Sequence, residues 1–358
     1  MARLIAFYLP QFHPIPENDE WWGRGFTEWT NTAKAKPLFP GHYQPHVPAD
    51  LGFYDLRVPE TRAAQAAMAR AYGVEAFCYY HYWFAGRRIL ERPFTEVLAS
   101  GEPDFPFCLC WANQTWTGIW HGEPNRVLIE QTYPGADDHR RHFESLLPGF
   151  HDRRYVRVDD RPLFVFFRPA DVPETPATMD LWRRLAQEAG LGDLFLLGTN
   201  IPDRSTAADL GLDGAIVGKL PQLRPWVSRR RPIKWLQRKY QDAKGMPTVY
   251  RYEEGAALWT CSEAFTDGAY PCLLPNWDNT PRSGRNGLVL HGATPQLFEA
   301  HARMIAVGVR GRPAERNLVF IKSWNEWAEG NHLEPDLRFG LAFLDALKAV
   351  FSDDGARP

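Results

Sequence analysis

Residues 319–335 read Val-Phe-Ile-Lys-Ser-Trp-Asn-Glu-Trp-Ala-Glu-Gly-Asn-His-Leu-Glu-Pro. The stretch begins as an apolar run, Leu318 to Ile321, of the length and composition of a buried strand. It then breaks into polar and aromatic residues where such a strand ends. Glu326 and Glu329 stand three apart there, flanked by Trp324, Asn325 and Trp327. If the chain turns helically after the strand, residues three apart share a face, roughly 5–6 Å between Cβ atoms. Two carboxyls at that spacing suit retaining glycoside chemistry, whose pair stands about 5–5.5 Å apart. Indoles beside carboxylates suit a sugar, which stacks its ring faces and hydrogen-bonds its hydroxyls. The plainer reading is a pair of acids at an exposed helix start, favoured there by the helix dipole.

Other short apolar runs repeat the pattern. Strands are expected at Arg3 to Tyr8, Val74 to Trp83, Phe105 to Cys110, Arg161 to Phe167, Leu194 to Thr199, Gly214 to Lys219 and Cys272 to Leu274, before Leu318 to Ile321. Between them lie helical or mixed segments: Pro59 to Tyr72, Phe94 to Ala99, Asp137 to Gly149, Met179 to Gly190, Ala207 to Gly211, Tyr252 to Phe265 and Pro295 to Gly308. Phe339 to Phe351 is the last helix. Eight buried strands alternating with such segments predict an α/β chain folded as a single (β/α)8 TIM barrel over residues 1–358, with long βα loops. The first of these loops runs from Leu9 to Val58 and is too aromatic for disorder. Residues 223–243 form an inserted basic and aromatic segment. Its 224–239 part admits contact with phosphates or a membrane surface, against the simpler reading of a solvated helix face.

The chain has 358 residues, 44% of them hydrophobic, and a net charge of -2, so no overall field favours nucleic acid. Its 14 Trp and 13 Tyr are unusual because many sit in polar stretches at strand ends. In a barrel these ends converge on the C-terminal face, where active sites lie. The candidate sugar-binding residues follow from that. They are Tyr8 and His13 after the first strand; Trp22, Glu28 and Trp29 in its loop; and Tyr80 and Trp83 on the second. Trp111, Asn113, Gln114, Trp116 and Trp120 follow the third strand and Arg168 the fourth. Asn276, Trp277, Asp278 and Arg282 follow the seventh, and Trp324, Asn325 and Trp327 flank the Glu pair. No nucleotide-binding glycine loop and no Gly-x-Ser-x-Gly elbow occurs. His42 and His46 have helical ligand spacing, but Pro45 spoils the helix, so neither a metal nor a cofactor is expected. The five cysteines sit mostly in apolar runs and read as buried small hydrophobes. With no signal-like N-terminus and no apolar run long enough for a membrane span, a cytoplasmic protein is expected.

Four segments carry a family resemblance: Phe7-Tyr-Leu-Pro-Gln-Phe-His-Pro, Trp21-Trp-Gly-Arg-Gly-Phe-Thr-Glu-Trp-Thr, Phe107-Cys-Leu-Cys-Trp-Ala-Asn and Ser323-Trp-Asn-Glu-Trp-Ala-Glu-Gly. They resemble the WbsX-like proteins, also called glycoside hydrolase family 99-like, which occur among surface-polysaccharide (O-antigen) functions. The resemblance covers nearly the whole chain. It implies a (β/α)8 barrel, no metal, and a retaining endo-α-mannosidase-type site. By that resemblance Glu326 takes the proton of the sugar's 2-hydroxyl, whose oxygen attacks the anomeric carbon. Glu329 protonates the leaving oxygen and later activates the incoming water or alcohol. Glu329 should then have a raised pKa, supplied by an apolar, Trp-lined wall. Relatives commonly read Trp-Ala-Asn-Glu-Asn-Trp where this chain has Trp111-Ala-Asn-Gln-Thr-Trp116, and Asp where it has His121. Both changes remove negative charge from the expected substrate wall.

The substrate expected is an oligosaccharide or polysaccharide, including a lipid-linked one. Three activities share this site: a retaining glycoside hydrolase, a glycosyltransferase of surface-polysaccharide assembly using the same carboxylates, and a glycan-binding barrel without catalysis.

Overall fold

The apolar runs become strands because each is buried on both faces, against the barrel interior and against the surrounding helices. In the computed structural model, which describes all residues except 119–122, 202–203, 219–235, 237–238, 242 and 353–358, they are β1 (Arg3–Tyr8), β2 (Ala76–His81), β3 (Phe107–Trp111) and β4 (Arg161–Phe166). The second half supplies β5 (Phe195–Gly198), β6 (Gly214–Val217), β7 (Ala269–Leu273) and β8 (Leu318–Ile321). All neighbours pair in parallel, and β1 closes on β8 with Arg3 beside Leu318 and Ala6 beside Ile321. This is a closed eight-stranded (β/α)8 barrel, as the alternating runs predict.

The helices Pro59–Ala71, Ala136–Phe150, Thr175–Glu188, Pro295–Gly308 and Ala342–Phe351 fall where expected within a few residues. Several elements differ. The loop after β1 contains two short helices, Pro16–Trp22 and Glu28–Lys34. The second is started by Thr27, whose side chain caps it, a signal local enough to be missed inside a long loop. The expected helix Tyr252 to Phe265 stops at Trp259 and resumes as a 3-10 turn, Ser262–Phe265. Short strands at Trp116–Gly118 and Glu123–Ile129 pair beyond β3, and Thr248–Arg251 pairs with Leu288–His291. Pairings between such short runs depend on partners distant in sequence, so periodicity does not reveal them. Most of the 223–243 segment lies outside the described residues, as does Trp120. Among the described residues no helix is long and apolar enough to cross a membrane.

Candidate active site

β8 delivers the Glu pair to the C-terminal end of the barrel, but not on a helix. After Ile321 the chain forms a two-residue strand, Asn325–Glu326, then a 3-10 turn, Trp327–Glu329, then the returning strand Asn331–His332. Asn325 pairs with His332, and Glu326 with Asn331. Gly330 closes the hairpin at φ +58°; a Cβ there would sit 2.9 Å from Cβ of Asp278, so only glycine fits. The backbone N–H of Asp278 donates to the Glu329 carbonyl at 2.6 Å. On the other side Asn325 clamps Leu9: its Oδ1 accepts from the Leu9 N–H at 2.7 Å and its Nδ2 donates to the Leu9 carbonyl at 3.1 Å. The hairpin is therefore held from both the β1 and β7 loops.

The two carboxyls hydrogen-bond each other, with a cation beside each. Arg282 donates through Nη1 to Glu329 Oε1 at 2.8 Å and through Nε to Glu28 Oε2 at 2.9 Å. Lys322 lies 3.4 Å from Glu326 Oε2. Its ammonium also faces the rings of Trp277, Phe167 and Tyr80 at 5.5, 5.8 and 5.9 Å. Burial, then repulsion by Glu329, pushes the Glu326 carboxyl up to about 7, even though Lys322 and Arg282 oppose the rise. Burial also disfavours an ionised Glu329, but Arg282 with Lys322 and the hydrogen bond from Glu326 outweigh it and hold Glu329 below the ordinary range. The expectation of a raised pKa on Glu329 is thus reversed. The arginine that ion-pairs with Glu329 comes from the β7 loop, and its charge helps to outweigh the effect of burial.

Two open cavities meet over this pair. One, of roughly 230 Å³, is walled by Trp22, Phe26, Glu28 and Trp116. The other, of roughly 580 Å³, is walled by Arg168, Asn200, Trp259 and Trp277. Tyr80, Gln114, Phe167, Lys322 and Glu329 border both, so the carboxyls lie along a continuous cleft.

The structure thus brings Trp22, Glu28, Tyr80, Gln114, Trp116, Arg168, Trp277 and Arg282 to the cleft with Glu326 and Glu329. The remaining expected residues among those described lie elsewhere. Tyr8 points out of the barrel and donates to Gln65 Oε1 at 2.7 Å. His13 is buried outside both cavities. Trp29 packs on Phe12 and Trp327 and donates to the Tyr54 carbonyl. Trp83 donates to Asp138 Oδ2 at 3.0 Å and stacks on His142, and Trp111 lies beneath it in the core. Asn113 ties the β3 end to the backbone of Arg168, much as Asn325 ties Leu9. Trp324 and Trp327 are fully buried: Trp324 packs on Phe77, and Trp327 donates to Glu334 Oε2 at 2.6 Å. Asn276 borders a separate cavity. Asp278 is held by His42 Nε2 and Gln44 Nε2, both at 2.7 Å, and by the Thr280 hydroxyl. His42 and His46 accordingly have different partners, Asp278 and His332.

Sequence reasoning missed Lys322, Phe167 and Asn200. Lys322 had a signal: a lysine directly after an apolar barrel strand sits at the C-terminal face, where a cation is costly unless paired.

The comparisons agree with the fold. The chain resembles a solved glycoside hydrolase-like protein with TM-score 0.60 and 15% identity, over 98% of this chain and 94% of that one. It also resembles the family 99 endo-alpha-mannosidase from Bacteroides thetaiotaomicron, with TM-score 0.55 and 13% identity over 99% and 97% of the two chains. At those identities the likeness establishes the barrel fold. The uncharacterized protein WxcX of Xanthomonas campestris pv. campestris, strain B100, is 42% identical over 353 residues. That alignment covers 98% of this chain and 50% of WxcX, so the chain spans half the length of this curated relative. The model of the family described as glycosyltransferase WbsX matches residues 4–347, and the chain belongs to that family.

Proposed function

We propose that the protein is a retaining carbohydrate-active enzyme that processes a glycosidic bond of a surface polysaccharide or oligosaccharide, in the manner of an endo-α-mannosidase, through Glu326 and Glu329. The observation that carries this reading is the hydrogen-bonded Glu pair, with Glu326 raised to about 7 and Glu329 lowered, on a cleft that continues to both sides. Between the two titrations the pair holds one proton, so it contains one acid and one base at neutral pH.

The raised Glu326 and the lowered Glu329 favour the shared proton on Glu326. For 2-hydroxyl participation it passes across the mutual hydrogen bond to Glu329. Glu326 then accepts the proton of the sugar's 2-hydroxyl as that oxygen bonds to the anomeric carbon. Glu329 gives its proton to the departing glycosidic oxygen, and the anomeric C–O bond breaks. In the second half an incoming hydroxyl loses its proton to Glu329 and bonds to the anomeric carbon. The bond to the 2-oxygen breaks, and that oxygen recovers its proton from Glu326. Two inversions retain configuration. Arg282 and Lys322 stabilise the pair's negative charge without consuming a proton. Trp22, Trp116 and Trp277 offer stacking faces on the two arms of the cleft.

Transfer to a sugar alcohol is the second reading, favoured by the family's description as glycosyltransferases and by room on both sides of the pair. A lipid-linked acceptor and a cytoplasmic setting belong to that reading. The experiment is fluoride release from α-mannosyl and α-rhamnosyl fluorides, beside Glu329→Gln. Release with retained configuration, lost in the variant, supports glycoside processing, and added acceptors then divide transfer from hydrolysis. Release unchanged in Glu329→Gln would refute the role of the pair.

A further inference from the structure

We propose that His46, His332 and Asp336 form a divalent-cation site of zinc type, which fastens the hairpin bearing Glu326 to the loop after β1. The three side chains are buried and converge from two parts of the chain, His46 from the loop after β1 and His332 and Asp336 from the stretch after β8. The Nδ1 atom of His46 lies 3.0 Å from Nε2 of His332 and 3.8 Å from Oδ2 of Asp336.

The surroundings orient these donors as an outer shell orients metal ligands. His332 Nδ1 faces the Glu334 carbonyl at 2.9 Å. A carbonyl only accepts, so the proton is on Nδ1 and the Nε2 lone pair points inward at His46. Oδ1 of Asp336 accepts from the backbone N–H groups of Arg338 at 2.9 Å and Phe339 at 2.7 Å, which leaves Oδ2 toward the histidines. The guanidinium of Arg338 stacks on the rings of Tyr43 and Phe339. A zinc ion with bonds of about 2.0–2.1 Å separates tetrahedral ligands by roughly 3.3–3.4 Å. The separations of 3.0 and 3.8 Å from His46 bracket that distance, and all three ligand atoms lie within 4.8 Å of one another, so small side-chain shifts would close them around the ion. His46, His332 and Asp336 border a cavity of roughly 200 Å³ together with Tyr43 and Asn276, giving room for a water as fourth ligand.

The ion would act on structure. His332 pairs with Asn325, the neighbour of Glu326, and stacks on Trp327 with ring centres 3.7 Å apart. The expectation of no metal weighed His42 with His46; the third and second ligands come from the far end of the chain, 286 residues beyond His46 in the case of His332.

The test is zinc titration of the chelator-stripped protein by calorimetry, with Co²⁺ as a spectroscopic probe. The proposal expects one equivalent of Zn²⁺, visible Co²⁺ bands of tetrahedral intensity, and a change in tryptophan emission on binding. Asp336→Asn retains an oxygen for the two backbone N–H groups and should weaken zinc binding about 100-fold or more; His46→Gln, on a different element, should do the same. Absence of zinc binding and cobalt bands in the wild-type protein would overturn the proposal and leave His46 and His332 as a hydrogen-bonded pair. Zinc binding that is unchanged in both variants would overturn it equally. The readout is metal binding, so the result stands apart from whether the Glu pair cleaves a sugar.

Discussion

Glu326 and Glu334 are eight residues apart, both buried, and both raised to about 7, with burial the largest cause in each. Their surroundings differ. Glu334 has its oxygens occupied: Gln65 Nε2 donates to Oε1 at 2.6 Å, while the Tyr54 hydroxyl at 2.8 Å and Trp327 Nε1 at 2.6 Å donate to Oε2. Glu326 faces an open cleft, a second carboxyl and the ammonium of Lys322. A raised pKa therefore does not by itself mark chemistry. Glu334 is a polar knot that holds Trp327 and Tyr54 behind the hairpin; Glu326 has capacity left for a substrate hydroxyl.

The sharpest way to break this contrast is to neutralise each acid. Glu326→Gln should lower kcat by about 10³-fold, a typical scale for removing an acid–base group, while the unfolding midpoint in urea stays close to the wild type. Similar activity in Glu326→Gln and wild type would erase the distinction. Glu334→Gln should do the opposite. Its amide places donors against the donors of Trp327 and Tyr54, costing about 1–3 kcal/mol of stability by urea denaturation, with the smaller activity loss.

The indoles divide in the same way. Trp324→Ala should cost about 3–5 kcal/mol of stability, because it empties a fully buried site against Phe77. Trp277→Ala should leave stability within about 1 kcal/mol and instead raise KM, since Trp277 borders the cleft.

A smaller effect concerns pH. Activity needs the one-proton pair, so the rate should fall as pH rises through about 7, where Glu326 loses its proton, and again below the lowered pKa of Glu329, where the pair gains a second. Arg282 favours the ionised carboxylates. Arg282→Met should therefore move both limbs of the pH–rate profile to higher pH, as measured with the glycosyl fluorides. A downward shift would contradict the charge assignment. Lys322→Met should shift the alkaline limb in the same direction.

Much of the architecture was legible in the sequence. Runs such as Leu318–Ile321 and Phe107–Trp111 are short, apolar and bounded by polar aromatics, a pattern that reads as a strand whatever its neighbours. The Glu pair and eight of the twenty expected cleft residues were legible too, because a barrel brings the strand ends together. The indoles were harder. Trp324, Trp327, Trp29 and Trp111 stand beside polar residues in sequence, which suggested sugar platforms, yet each packs in the core.

The sequence by itself determined the eight strands, the barrel that closes them and the position of two carboxyls at its C-terminal face. Burial and period are local properties of the chain, and they suffice for that much. Tertiary structure alone decided which carboxyl is raised and which lowered, which indoles face the cleft and which histidines meet. Arg282 reaches Glu329 from 47 residues away, and His46 reaches His332 from 286. Electrostatic and ligand fields depend on distances of a few ångströms, and those are set only when the loops of a closed barrel converge.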